Sequence, residues 1–180
     1  MTDSNRPPLT FAFFPEVAAF DLSSEDIADG EVLANAQVAD IMGYAGANLS
    51  PQLSWSGFPP ETKAFAVTVH DPDAPTGSGF WHWLAVNIPP DVNGLAAGAG
   101  SEGSDALPDG VLQLRNDAGT RGYVGAAPPP GDAPHRYVHT VHALDVETLD
   151  VAANSSAAIV GFNLRFHTIA RAQIVPVFGS

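Results

Sequence analysis

The chain contains no cysteine and only one lysine, Lys63. Without thiols there is no disulfide framework and no thiolate chemistry, and cysteine usage says nothing of the redox compartment. Seven basic residues face twenty acidic ones, for a formal net charge of -13. Clustered cations that grip a phosphate backbone are therefore missing, and a nucleic-acid partner is excluded; the acidic excess bears on solubility. No apolar run approaches the ~18 residues of a membrane span. The opening Met1-Thr-Asp-Ser-Asn-Arg-Pro-Pro8 has neither the basic nor the apolar region of a secretion signal. A cytoplasmic protein that does not span a membrane is the expectation.

What is present is enough for one core. At 180 residues and 45% hydrophobic, the chain has the size of one domain, expected over 1–180 with residues 1–20 as a loosely attached extension. Ala64 to His70 and Trp83 to Ile88 are short, β-branched and aromatic, and bounded by Pro or Gly, which predicts two buried strands. Between them runs Asp71-Pro-Asp-Ala-Pro75 and on to Trp81-His82, a connection holding two carboxylates, a histidine, prolines and glycines. Such a segment predicts a functional loop, in which Ala74-Pro75 is expected to be cis, since X-Pro is the bond type that tolerates it.

Other elements follow from pattern. Phe20 to Ser23 and Gln37 to Ile41 are expected as short strands, and Asn48 to Trp55 as an edge or extended strand around Pro51. Val111 to Arg115 is a strand candidate. Arg136 to Asp145 alternates with period 2, putting His135, Tyr137, His139 and Val141 on one face and Val138, Thr140, His142 and Leu144 on the other. Residues 155–169 predict a helix with Ile159, Phe162, Phe166 and Ile169 on its buried stripe. Ala172 to Phe178 predicts a final strand that Pro176 confines to an edge. Many short strands and one late helix give a mostly β domain.

The candidate site joins two Pro/Gly-rich connections, one with Asp71, Asp73 and His82, the other with Gly125-Ala-Ala-Pro-Pro-Pro-Gly131, His135 and Tyr137. Two imidazoles, a phenol and loop amides suit an anionic oxygen such as phosphate, and charged imidazoles would bind it more tightly as pH falls. Each member also has a bland reading: Asp-Pro starts turns, His82 between two tryptophans fits a satisfied core histidine, and His139 and His142 fit structural roles. No HxxxH or HxH spacing sits at the site, so no metal is expected. No nucleophile elbow and no dinucleotide fingerprint is present, so neither a hydrolase nor a cofactor enzyme is favoured.

These motifs, with Ser50-Pro-Gln-Leu-Ser-Trp55, resemble the phosphatidylethanolamine-binding protein family, also called Raf kinase inhibitor-like proteins. The resemblance covers about 42–178, and Met42-Gly-Tyr44 and Gly161-Phe-Asn-Leu-Arg-Phe-His167 are similar to its bacterial branch. It implies a β-sandwich with one or two short helices and an anion pocket at one end. Carried over by position, ligand-binding residues are Asp71, Asp73, His82, Ala127, Pro128, His135 and Tyr137, with Ala127 where eukaryotic members often have Gly. The eukaryotic C-terminal helix with its pocket aromatic is expected to be absent. The resemblance implies a small anionic or phosphorylated ligand, phosphate or a phospholipid head group, bound without catalysis or cofactor by a homodimer. The alternative is a protein-interaction module, a kinase or protease inhibitor whose pocket engages a phosphoryl or carboxylate group of a partner protein.

Overall fold

In a computed structural model, residues 6–179 are described. In chain order the strands are β1 (Ala18–Ala19), β2 (Asp21–Ser23), β3 (Leu53–Ser56), β4 (Ala64–Asp71), β5 (Phe80–Ile88), β6 (Gly94–Leu95), β7 (Leu112–Gln113), β8 (His135–Arg136) and β9 (Val138–Leu144). Helix α1 (Ala157–His167) runs directly into β10 (Thr168–Ile174), and β11 (Val177–Phe178) closes the fold. A six-stranded sheet has the order β1-β10-β9-β4-β5-β7, antiparallel except for the parallel β1–β10 pair. A three-stranded sheet, β2-β3-β6, and a two-stranded one, β11-β8, complete the mostly β architecture.

The large sheet is covered on both faces, which is why β4 is buried along its whole length. Its odd residues Phe65, Val67 and Val69 pack with Trp83, Val141 and Tyr137 against Leu53, Trp55 and Leu95 of the small sheet. Its even residues Ala64 and Ala66 pack with Leu84, Val86 and Leu144 against Leu149, Val160 and Leu164. The result is a sandwich with α1 on the outer face of the larger sheet, each strand of the centre contributing alternate residues to two cores.

Several expectations are corrected. The buried face of α1 is Val160 and Leu164, whereas Ile159, Phe162 and Phe166 are 48%, 62% and 62% exposed. Both stripes recur at helical spacing, so period alone did not choose between them, and the larger rings were not the ones enclosed. The helix begins at the Ser156 cap, whose Oγ accepts from the Ile159 N–H, and ends at His167 because β10 starts there. β3 is the central strand of its sheet rather than an edge, with Pro51 placed before its first residue. Gln37 closes a 3₁₀ turn (Asn35–Gln37) instead of opening a strand, and only Val38 bridges, to Ala126. Pro176 separates β10 from β11 instead of lying within one strand. Among the described residues there is no cis peptide bond, so Ala74-Pro75 is trans.

Part of the described N-terminal segment packs on the fold. Phe11 is buried, with its ring centroid 4.7 Å from that of His142 and 6.1 Å from that of Trp81. Residues 1–5 of the expected extension lie outside the described residues. No described helix is long and apolar enough to cross a membrane.

Candidate functional site

The end of β4, the start of β5, the 122–131 segment and the β8–β9 corner meet at a cavity of ≈190 Å³. The bulge in the β4–β5 ladder explains how His82 reaches it. Val69 pairs with Trp83 but His70 pairs with Trp81, so His82 has no partner across the ladder. The extra residue breaks the alternation: Trp83 packs in the inter-sheet core, Trp81 beside the helix-side core, and His82 turns into the cavity.

His82 is fixed from the neighbouring segment. Its Nδ1 donates to the Val124 carbonyl at 2.8 Å, while the Val124 N–H donates to the His82 carbonyl at 3.0 Å. Burial pushes the ring's pKa below the ordinary histidine range, against a smaller opposing pull from the Val124 carbonyl and Asp71. The ring stands edge-on to Tyr137, 5.2 Å between centroids. The Tyr137 hydroxyl is buried without a hydrogen-bond partner among the described residues, and burial followed by the Asp71 charge raises its pKa, so it carries its proton.

Asp71 organises the opposite wall. Its Oδ1 accepts the backbone N–H groups of Asp73 (2.8 Å) and Ala74 (3.1 Å), folding the loop, and its Oδ2 accepts from His135 Nδ1 at 2.7 Å. That bond raises the His135 pKa in spite of burial. His135 Nε2 lies 3.5 Å from Asp132 Oδ2, so both ring nitrogens face carboxylates. The two imidazoles expected to act alike therefore differ: His135 favours the charged form and His82 the neutral one.

Asp73 is not brought together with the others. It turns away from the cavity and takes a forked pair of bonds from Arg136, Nε to Oδ2 at 2.8 Å and Nη2 to Oδ1 at 2.7 Å. The Arg136 N–H adds a third at 2.9 Å, and Arg136 holds the Asp73 carboxyl below the usual range in spite of burial. Two aspartates flanking one proline thus serve opposite sides of the loop. Ala127 and Pro128 do line the cavity, held by Tyr44, whose hydroxyl donates to the Pro128 carbonyl at 3.0 Å. Gly125 allows this approach, since a Cβ there would sit 2.4 Å from the Ala39 nitrogen.

Sequence reasoning missed the remaining walls: Ile41, Met42, Thr76, Phe80 and Val124 also line the cavity. Ile41 and Met42 are exposed apolar residues at its rim, and Met42 has a left-handed φ of 54°, uncommon outside glycine. The Met42-Gly43 pair was the available signal. Among the described residues no cluster of three or more metal-ligating side chains occurs, and no lysine or arginine lines the cavity.

The family model described as phosphatidylethanolamine-binding protein matches residues 23–179. The chain belongs to this family. Among its bacterial relatives is the UPF0098 protein YbhB of Escherichia coli, 54% identical over 87% of this chain and 98% of that one. UPF0098 protein YbcL of the same organism is 50% identical over 92% of this chain and 91% of the other. The crystal structure of E. coli YbcL, described as a new member of the mammalian PEBP family, superposes with a TM-score of 0.87 at 50% identity, covering 91% of this chain and 99% of that one. A putative PEBP homologue from Chlamydia trachomatis gives a TM-score of 0.74 at 30% identity, over 90% of this chain and 98% of the other. The family's β-sandwich is thus the fold described above.

Proposed function

We propose that the cavity binds a small anionic or phosphorylated group without transforming it. The observation that carries this reading is the Tyr137 hydroxyl, a buried donor without a partner at the wall of a concave site. Leaving such a group unsatisfied costs about 1 to 3 kcal/mol, and a ligand oxygen would restore the bond. His82 Nε2, for which no protein partner is seen among the described residues, and the loop around Pro128 complete the receptor. Although Asp71 and His135 form a tight pair, among the described residues no hydroxyl or thiol nucleophile is hydrogen-bonded to His135, which supports a binding role over hydrolysis.

Calorimetric titration with inorganic phosphate and phenyl phosphate tests the reading. Saturable 1:1 binding by wild type, weakened in Tyr137→Phe, is the expected outcome; absence of binding by either probe would sink it. A second reading is favoured by the exposed rim residues Ile41 and Met42, which suit contact with a macromolecule: a regulatory module that engages a phosphoryl or carboxylate group of a partner protein. A phosphopeptide that binds where neither small phosphate does would select it. Self-association as a homodimer belongs to the same proposal, supported by the exposed, edge-to-face Phe162 and Phe166. Sedimentation equilibrium of wild type and Phe162→Glu would show a dimer becoming a monomer.

A further inference from the structure

The protonation state of the ligand follows from two atoms of the site, granted the anion-binding reading on which this inference rests. A carbonyl oxygen can only accept, so His82 Nδ1, 2.8 Å from the Val124 carbonyl, carries a proton. In the neutral ring Nε2 then presents a lone pair. Beside it the Tyr137 hydroxyl, buried and without a partner, is a donor. The pair therefore offers one acceptor and one donor, with no fixed positive charge.

The surroundings maintain that arrangement. His82 is faced by the carboxylates Asp71 and Asp117 and by the imidazoles His70 and His139; Tyr137 is faced by Asp71, Asp73, Tyr44 and Tyr123. Both Asp71 oxygens are occupied, Oδ1 by two backbone N–H groups and Oδ2 by His135. Burial outweighs the two carboxylates and keeps His82 below the ordinary histidine range. An oxyanion with no proton would set its lone pairs against that of Nε2 unless the buried ring first became charged. Apart from Thr76 and His135, the rest of the wall is apolar, including Met42, Phe80, Val124 and Pro129.

We infer that the cavity selects a phosphate monoester with an apolar substituent, bound as its singly protonated monoanion. The P–O–H of the ligand donates to His82 Nε2, a second phosphate oxygen accepts from the Tyr137 hydroxyl, and the substituent lies along the apolar wall toward Met42. A phosphodiester, such as the head group of an intact diacyl phospholipid, lacks that proton and is disfavoured, whereas a phosphate monoester, free or at the end of a lipid, retains it.

Three probes share one apolar body and differ in this proton: phenyl phosphate, phenyl sulfate and the diester methyl phenyl phosphate. Each is titrated into the full-length protein by calorimetry at pH 6, 7 and 8. At pH 6 phenyl phosphate is expected to bind at least about tenfold more tightly than either proton-free probe. Because the second ionisation of a phosphate monoester lies near ~6, its affinity should also fall about tenfold between pH 7 and 8. Phenyl sulfate or the diester binding within about threefold of phenyl phosphate at pH 6 would overturn the inference while leaving the anion site standing. No binding of any probe would overturn both. The comparison uses wild type alone, so it does not depend on a variant that folds.

Discussion

Tyr137→Phe removes one oxygen and leaves the ring that packs against His82. Loss of a hydrogen bond to an anionic oxygen, about 1.5 to 3 kcal/mol, corresponds to roughly a tenfold to hundredfold weaker affinity for phenyl phosphate. Stability should be unchanged or slightly higher, because the hydroxyl is unsatisfied in the free protein; a urea titration beside the calorimetry checks both parts. A large loss of stability with unchanged affinity would mean that the hydroxyl serves the fold instead. His139 and His142 give a second prediction at this scale. Burial depresses their pKa values from 6.5 to about 4 and about 3, so the unfolded chain takes up protons that the native rings refuse. Their contribution to stability is present above pH 6.5 and lost as pH falls toward those values. His135, whose pKa is raised, acts at higher pH: its contribution is complete below 6.5 and fades as pH rises through the folded value. Between pH 6.5 and 5 the buried pair should therefore dominate, costing about 1 to 2 kcal/mol per ring in urea unfolding. Constant stability over that interval would contradict the burial of neutral rings.

At the scale of elements, α1 attaches through Val160 and Leu164, so Leu164→Ala should cost about 2 to 5 kcal/mol. Phe162→Ala, at a ring 62% exposed, should cost less than ~1 kcal/mol. Paired urea curves measure both, and a reversed order would put the sequence-based stripe back in the core. This helix shows where sequence reading fails: two apolar stripes compete, and only tertiary packing chooses between them. The central strands β4, β5 and β9 were legible because both their faces are buried, which demands runs of apolar and β-branched residues. The two-residue strands β1 and β6 carry no such run, and their pairing comes from the sheets they join. The β5 bulge at His82 was equally hidden, since an unpaired residue is a property of the ladder and not of the strand's own sequence.

Across the whole molecule, two chemically costly connections suggested that His82, His135 and Tyr137 meet if their strand ends are neighbours, and the family resemblance added Ala127 and Pro128; all five line one cavity. The parting of Asp71 from Asp73 was not legible, because it depends on Arg136 arriving from β8. Net charge bears on binding at the same scale. The protein carries -13, no lysine or arginine lines the cavity, and His135 sits between the carboxylates of Asp71 and Asp132. Long-range electrostatics therefore repel an anionic ligand, and salt should relieve the repulsion. Phenyl phosphate affinity is expected to stay level or rise between 20 and 300 mM NaCl; a fall of tenfold would reveal a cationic site elsewhere.

The most direct test of the central claim is a titration of the ¹⁵N-histidine-labelled protein with phenyl phosphate at pH 6, followed through the ring nitrogens. His82 lines the cavity, while His142 is buried on the other face of the large sheet between Thr68 and Thr168. The account predicts a saturable displacement of the His82 Nε2 resonance with His142 unmoved. A saturable response at His142, or binding that leaves His82 unchanged, would contradict it.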